Sequence, residues 1–430
     1  MKFVFWLATA AFLAALPLWF SSSAALTLLC QIGVAAIFAL AYNVMLGQTG
    51  MLSFGHALYF GLAGFATIHF MNASGADLLP YLPVSLVPLI GGLFGLMVGI
   101  VIGYVSTRLS GIPFAMISLG FMELVSALAI IFPGSFYGRA VGHTDRRYGV
   151  EPFGITFGPQ IEVYYLIATW LLIVVAAIYA FTKTPLGVLC VAVRENPERV
   201  RFIGFNEQRV RWLAFSVSAF FAGLAGALHA INYEFIGAGS LGAQQSTMVL
   251  VMTYIGGTGN LLGPIAGAAL VTTMTSALSD VTRLWSLYLG LLFVVVVVFV
   301  PGGLTNIALV HRPIWRHDRG LILGLIPFYL SAMIATAISL TGFVGLLELI
   351  SFIGNVPAWK SSVEIFGLTV ATHSLWPWLI SMTLAGSGAI LCRVAYRRVG
   401  QAWRTTNAIV AEQTSRGQTF NIKISRGQTP

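Results

Sequence analysis

Charge is scarce in this chain: 9% of its 430 residues are Asp, Glu, Lys or Arg, where soluble domains carry about 25%. The only lysines are Lys2, Lys183, Lys360 and Lys423, and none follows a glycine. A phosphate-cradling Walker loop ends in Gly-Lys-Ser/Thr, so the chain has no such loop and is not the ATPase of any system it serves. Cysteine is limited to Cys30, Cys190 and Cys392. With no Cys-x-x-Cys spacing and an odd count, they support neither a disulfide framework nor a structural zinc site, and they read as small apolar fillers. No His/Cys/Asp/Glu group has metal-ligand spacing and no nucleophile has an identifiable base. The sequence therefore predicts no metal, no catalysis and no cofactor held by this chain.

What is abundant is apolar surface: 57% of residues are hydrophobic and the mean hydropathy is +0.87. Such a chain belongs in lipid, where only helices and closed barrels satisfy their backbone hydrogen bonds. Its apolar runs are long and continuous, not alternating in ten-residue strands, so an all-α bundle of transmembrane helices is predicted. Apolar segments fall at about 3–20, 24–46, 51–71, 83–107, 113–133, 164–182, 212–234, 246–258, 262–281 and 285–300, with two more at 321–350 and 375–392. That gives about ten core spans and two C-terminal ones. The expected domains are 1–310, 311–400 with the two added spans, and a polar tail, 401–430, predicted disordered. The tail repeats Ser-Arg-Gly-Gln-Thr at 415–419 and 425–429. Residues 1–25 also resemble a secretory leader ending in Ser21-Ser22-Ser23-Ala24-Ala25. They are read as a retained first helix, because that keeps the basic loops on one face.

The net charge of +9 and pI near 9.6 do not indicate nucleic-acid binding, because the basic residues lie between and after apolar runs. Residues 183–211 carry six Lys/Arg against three Glu, 301–320 carry Arg312, Arg316 and Arg319, and the tail carries Arg393, Arg397, Arg398 and Arg404. Counting spans from Lys2 places all three on one side, which the positive-inside rule makes cytoplasmic together with both termini.

Two glycine-rich stretches interrupt the apolar pattern. Gly256-Gly257-Thr258-Gly259-Asn260-Leu261-Leu262-Gly263-Pro264 cannot continue a helix. It is either a break lining a pathway, with Gly257, Gly259 and Asn260 as pathway candidates, or a short surface loop. The second, Leu46 to His56, offers Gln48, Thr49, Ser53 and His56 as neutral hydrogen-bonding groups, either for an uncharged or zwitterionic solute or for neighbouring backbone. Glu123 lies in the middle of an apolar run, where charge is expensive, and is read as an interhelical hydrogen-bonder or a pathway group. Asp280 and Arg283 are read as a local ion pair.

Ala39 to Ala57, then Thr184-Pro185-Leu186-Gly187 with Arg194-Glu195-Asn196 and Ile203-Gly204-Phe205-Asn206, then Gly256 to Pro264 resemble, in this order, the M-type permease subunits of bacterial branched-chain amino-acid ABC importers. The resemblance covers about residues 24–304. It implies an inner-membrane complex of two permeases, two cytoplasmic ATP-binding subunits that use the ATP, and a periplasmic solute-binding protein. Arg194, Glu195, Asn196, Pro197, Arg199 and Gly204 would then form the coupling segment that docks on an ATPase, with Pro197 ending or kinking a helix. The loop Tyr137 to Arg147 departs from the family's pattern, as do the residues after about 310. The alternatives are an ion-coupled secondary transporter or channel using Glu123, and a membrane scaffold. Leucine-type amino acids, urea and short amides all fit the same neutral groups.

Overall fold

The computed structural model describes residues 2–76, 78, 82–131, 141–145, 156–300, 302–307, 310–311, 319–355, 362–365, 368–371 and 375–425. The chain forms two compact units, Met1–Ile307 and Ala308–Pro430.

In the first unit, α1 (Lys2–Trp19) is followed by α2 (Ser23–Asn43), which runs into a π-helical turn, Val44–Gln48. After an irregular stretch come α3 (Ala57–Gly75), α4 (Val87–Ser106) and α5 (Ile112–Ile131). Next are the short strand β1 (Val141–His143), α6 (Gln160–Lys183), α7 (Pro185–Glu195), α8 (Pro197–Phe202) and α9 (Glu207–Tyr233). Strand β2 (Phe235–Gly237) pairs antiparallel with β1, Gly142 opposite Ile236. A 3₁₀ turn leads into α10 (Ala243–Gly256), α11 (Leu262–Val281) and α12 (Trp285–Phe299). The second unit holds α13 (Arg319–Asn355), the hairpin β3 (Ser362–Ile365) and β4 (Leu368–Ala371), and α14 (Trp376–Ser425).

Every predicted apolar segment is helical, and nine helices among the described residues are long and apolar enough to cross a membrane. Three expectations change. The segment at 246–258 is α10, whose 14 residues reach about 21 Å, short of the roughly 30 Å hydrocarbon layer. The segment at 51–71 becomes a helix only from Ala57, because Gly50 takes φ +72° and turns the chain. The tail, predicted disordered, continues α14 as far as Ser425. No proline interrupts it between Pro377 and Pro430, and its Ala, Arg and Gln residues are good helix formers. In the departing loop, Val141 to Asp145 is described, with β1 on β2, while Tyr137 to Ala140, Arg146 and Arg147 lie outside the described residues.

The core centres on α9, which α4 approaches through glycines one turn apart. A Cβ at Gly91 would lie 2.5 Å from the Ala227 methyl, one at Gly95 2.5 Å from the Ala219 carbonyl oxygen, and one at Gly103 2.5 Å from the Phe215 ring. Small residues at this spacing let helix backbones touch, which is how helices associate where lipid is as apolar as their side chains. Gly95→Leu is accordingly expected to separate α4 from α9, an overpacking cost of about 1–3 kcal/mol. A lowered melting temperature of the detergent-solubilised protein would record it.

Candidate transport and docking site

The two glycine-rich stretches, about 210 residues apart in sequence, meet. Asn43, in the last turn of α2, joins them: its Oδ1 accepts from Gly259 N at 3.0 Å and its Nδ2 donates to Asn260 O at 3.1 Å. Gly257 (φ +113°) and Gly259 (φ +85°) shape this turn between α10 and α11. From beyond the end of α12, Thr305 Oγ1 donates to Gly256 O at 3.0 Å. The backbone of Gly303 comes so close to Gly257 that a Cβ there would lie 2.5 Å from its Cα. The turn therefore joins two helix ends beside the basic 183–211 segment. It is a tightly packed corner at one end of the helices.

The irregular stretch 49–56 is the interruption that turns inward. Met51, Ser53, Gly55 and His56 are buried; Phe54 N donates to Ser118 Oγ on α5 at 3.2 Å and Ala57 N to Ser246 Oγ on α10 at 3.0 Å. These hydroxyls satisfy backbone groups that lipid could not. Thr49 Oγ1 donates to Met45 O, Ser53 Oγ accepts from Gly55 N, and Tyr42 Oη donates to Ser53 O at 2.9 Å. His56, 1% exposed, stacks on Phe38, meets Tyr42 and Tyr59 edge-on, and has Nε2 3.4 Å from Ser218 Oγ. Gln48 is buried at the end of the π-helical turn.

None of these residues lines the cavity of about 470 Å³ in this unit. It is lined from α2, α3, α9, α10, α11 and α12, and its polar side chains, among them Gln31, His229, Tyr233, Gln244, Gln245, Thr272 and Thr275, include no carboxylate, lysine or arginine. The Thr272 hydroxyl is buried without a hydrogen-bond partner. Glu123, the twelfth of twenty residues of α5, stays away from both places. It is exposed on the outer face of this unit, and neither an ion pair nor a hydrogen bond engages it among the described residues. Asp280 and Arg283 do not form the expected pair: α11 ends at Val281 and Thr282 is extended, which takes Arg283 off the helix face.

The basic segment folds as two short helices. Thr184 caps α7 by accepting from Gly187 N at 3.1 Å, with Pro185 at the first helical position. Asn196 is extended and ends α7; its Oδ1 accepts from Arg199 N at 2.9 Å, so it caps α8. Pro197 opens α8, where its missing N–H costs nothing. Asn206 caps α9 in the same way, accepting from Arg209 N at 3.1 Å. Cys190, Val193, Val200, Val210 and Ala214 bury one another and fasten α7 and α8 to the start of α9. Burial pushes the Cys190 thiol up to about 12, consistent with its predicted role as an inert filler.

At the tip, Gly204 takes φ +90° and Arg201 pairs with Glu207 across the turn, presenting Phe202 at 90%, Ile203 at 62% and Phe205 at 48% exposure. Glu195, Glu198 and Arg199 are exposed around it. Arg194, expected among the docking residues, is exposed like them, but its guanidinium donates to Gly47 O.

Sequence reasoning singled out neither Thr305 nor Phe202, and it quoted Asn43, Ile203 and Phe205 within motifs without assigning them as site residues. Asn43 carried a signal, an amide inside an apolar span; the three apolar tip residues carried one too, in a loop otherwise polar. Asn43→Ala would remove both bonds to the exposed turn residues Gly259 and Asn260, at about 0.6–1.7 kcal/mol, the scale found between membrane helices. Thermal unfolding of purified protein is expected to show that loss, with Asn43→Asp at least as severe as Asn43→Ala, because a buried carboxylate cannot donate to Asn260 O.

A multi-span helical bundle with irregular buried backbone, a neutral cavity and a capped, apolar-tipped handle is a membrane transport permease. Residues 24–300 match the family described as "Branched-chain amino acid transport system / permease component", and the chain belongs to it. It is 27% identical over 289 residues to the high-affinity branched-chain amino acid transport system permease protein LivM of Escherichia coli, covering 62% of this chain and 67% of that protein. The LivM protein of Salmonella typhimurium matches over the same length at the same identity. The autoinducer 2 import system permease protein LsrC of Yersinia enterocolitica is 29% identical over 194 residues, 43% of this chain and 52% of that protein. No solved structure matches.

Proposed function

We propose that this chain is one of two permease subunits of an ATP-driven importer for branched-chain amino acids or related small amino acids and amides. Two cytoplasmic ATP-binding subunits supply the energy, a periplasmic binding protein delivers the solute, and both termini are cytoplasmic. The observation that carries this reading is the tip at Phe202, Ile203 and Phe205. Apolar side chains held out on a pinned turn at the basic face are unfavourable in water and fit a cleft on a partner protein. Glu195, Asn196, Pro197, Arg199 and Gly204 shape and surround that tip.

Gln48, Thr49, Ser53, His56, Gly257, Gly259 and Asn260 act in this reading as the frame of the pathway, since the Thr49 and Ser53 hydroxyls are spent on backbone, His56 is packed among aromatic rings, and none of the seven lines the cavity. The solute-facing groups are those of the neutral cavity, together with Glu123. A carboxylate at mid-span costs about 2.5–3.5 kcal/mol facing lipid, so the exposed face of α5 turns to the second permease and the water between the two. A cavity without fixed charge suits a zwitterion or a neutral amide. ATP is the partners' cofactor.

The test is affinity purification of the tagged chain from its native membrane in mild detergent, with mass spectrometry of what accompanies it. Recovery of an ATPase and a second permease is expected. A homo-oligomer that still drives uptake in ATP-free vesicles would establish secondary transport instead. Uptake assays with leucine, urea and a short amide then separate the solutes.

A further inference from the structure

Arg194 sits on the docking segment yet grips the membrane domain. The last carbonyls of a helix have no N–H of their own helix to accept from, and the negative end of the helix dipole attracts a cation. Gly47 O, in the π-helical turn that ends α2, is such a carbonyl, and it accepts from Arg194 Nη1. The side chain lies along the glycine-rich stretches on its way: a Cβ on Gly50 would lie 2.9 Å from Arg194 Cγ, and one on Gly259 3.7 Å from Nη1. Gly50 already takes a left-handed φ of +72°. One residue of α7 thus touches both ends that Asn43 holds together, the end of α2 and the α10–α11 turn.

The rest of α7 and α8 is fastened to α9 by the Cys190–Val193–Val200–Val210–Ala214 cluster. The tip and the start of α9 therefore form one packed body, and Arg194 is a direct polar hold from that body onto the end of α2.

We propose that Arg194 is a positioning residue that transmits displacement of the docking tip to the π-helical end of α2 and the α10–α11 turn, distinct from the apolar tip that binds the ATPase. This rests on the importer reading. It divides the segment into a binding half, Phe202 to Phe205, and a transmitting residue whose guanidinium is held by the membrane domain. A guanidinium is suited to this because its fixed fork of donors keeps one geometry on a carbonyl as the parts move, whereas an ammonium on a flexible stem does not.

The experiment uses the whole complex isolated from native membrane, wild type against Arg194→Ala, Arg194→Lys and Gly50→Ala. Hydrogen exchange is followed at residues 44–51 and 257–261, and separately at 197–206, with and without trapping by ATP and vanadate. In wild type, trapping is expected to change exchange at all three. In Arg194→Ala the ATPase still co-purifies and 197–206 still responds, while the response at 44–51 and 257–261 falls about tenfold, the scale of one charge-assisted hydrogen bond. Arg194→Lys restores part of it. Gly50→Ala displaces the arginine stem without removing the charge and reproduces the uncoupling, which keeps the idea testable if Arg194→Ala fails to assemble.

Undiminished transmission in Arg194→Ala, or in Gly50→Ala should the first not assemble, overturns the proposal. So does loss of ATPase association in Arg194→Ala with transmission intact in Gly50→Ala, which would make Arg194 a docking residue. Absence of any ATPase from the wild-type preparation refutes the importer reading itself, and the latch with it.

Discussion

Phe202→Asp is expected to abolish recovery of the ATPase with the tagged chain while leaving the permease folded in the membrane. The side chain is 90% exposed, so its removal leaves the chain's own packing untouched. Burial of a phenylalanine in a partner's cleft contributes about 1.5–3 kcal/mol, which corresponds to about ten- to a hundredfold in affinity for Phe202→Ala. Aspartate adds the cost of desolvating a charge in the same cleft. Titration of purified ATPase onto the permease in detergent measures both variants. The expected order is wild type, then Phe202→Ala, then Phe202→Asp. Equal affinity in all three would show that the tip is not the docking surface. Arg201, 65% exposed, pairs with Glu207, which is 14% exposed and also faces Arg211 at 3.9 Å, so Arg201→Ala, which removes only the exposed partner, should matter far less, within the about 0–1 kcal/mol of surface ion pairs.

Glu123→Leu carries the second large effect. If α5 lines a wet path shared with the second permease, an apolar side chain dries the middle of the path. Uptake in proteoliposomes is then expected to fall about a hundredfold, the equivalent of the roughly 2.5–3.5 kcal/mol that separates a charged from an apolar side chain at mid-membrane. ATPase association and melting temperature should stay near wild type, because Glu123 makes no hydrogen bond or ion pair among the described residues. Glu123→Gln tells charge from polarity and is expected to retain more uptake than leucine. Unchanged uptake with raised stability in Glu123→Leu would mean that this face of α5 meets lipid.

The spans show how far local information reaches. Continuous apolar runs between polar loops impose helices in lipid, because no other solution satisfies the backbone, and α11, predicted at 262–281, occupies Leu262–Val281. Ends were harder where chemistry overrides hydropathy. Residues 51–56 are apolar enough to continue a span, yet Gly50 turns the chain and Ser118 and Ser246, remote in sequence, receive the freed N–H groups. The tail went the other way, because its polar composition argues against a core but not against a helix that extends an existing one.

For the site, the sequence by itself determined which backbone is special: glycines at 47, 50, 257 and 259, a capped basic segment bracketed by Pro185 and Pro197, and one carboxylate in the middle of a span. Those follow from steric freedom, missing donors and the cost of charge in lipid, all local properties. Only the tertiary structure decided which of them meet. Asn43 joins stretches about 210 residues apart, the Arg194 guanidinium reaches Gly47, Phe202 stands out instead of packing, and the neutral cavity draws on α2, α3, α9, α10, α11 and α12 rather than on the glycine-rich motifs. The direction of a side chain is set by how helices pack against one another, and that packing is a property of the whole bundle which no single stretch of residues contains.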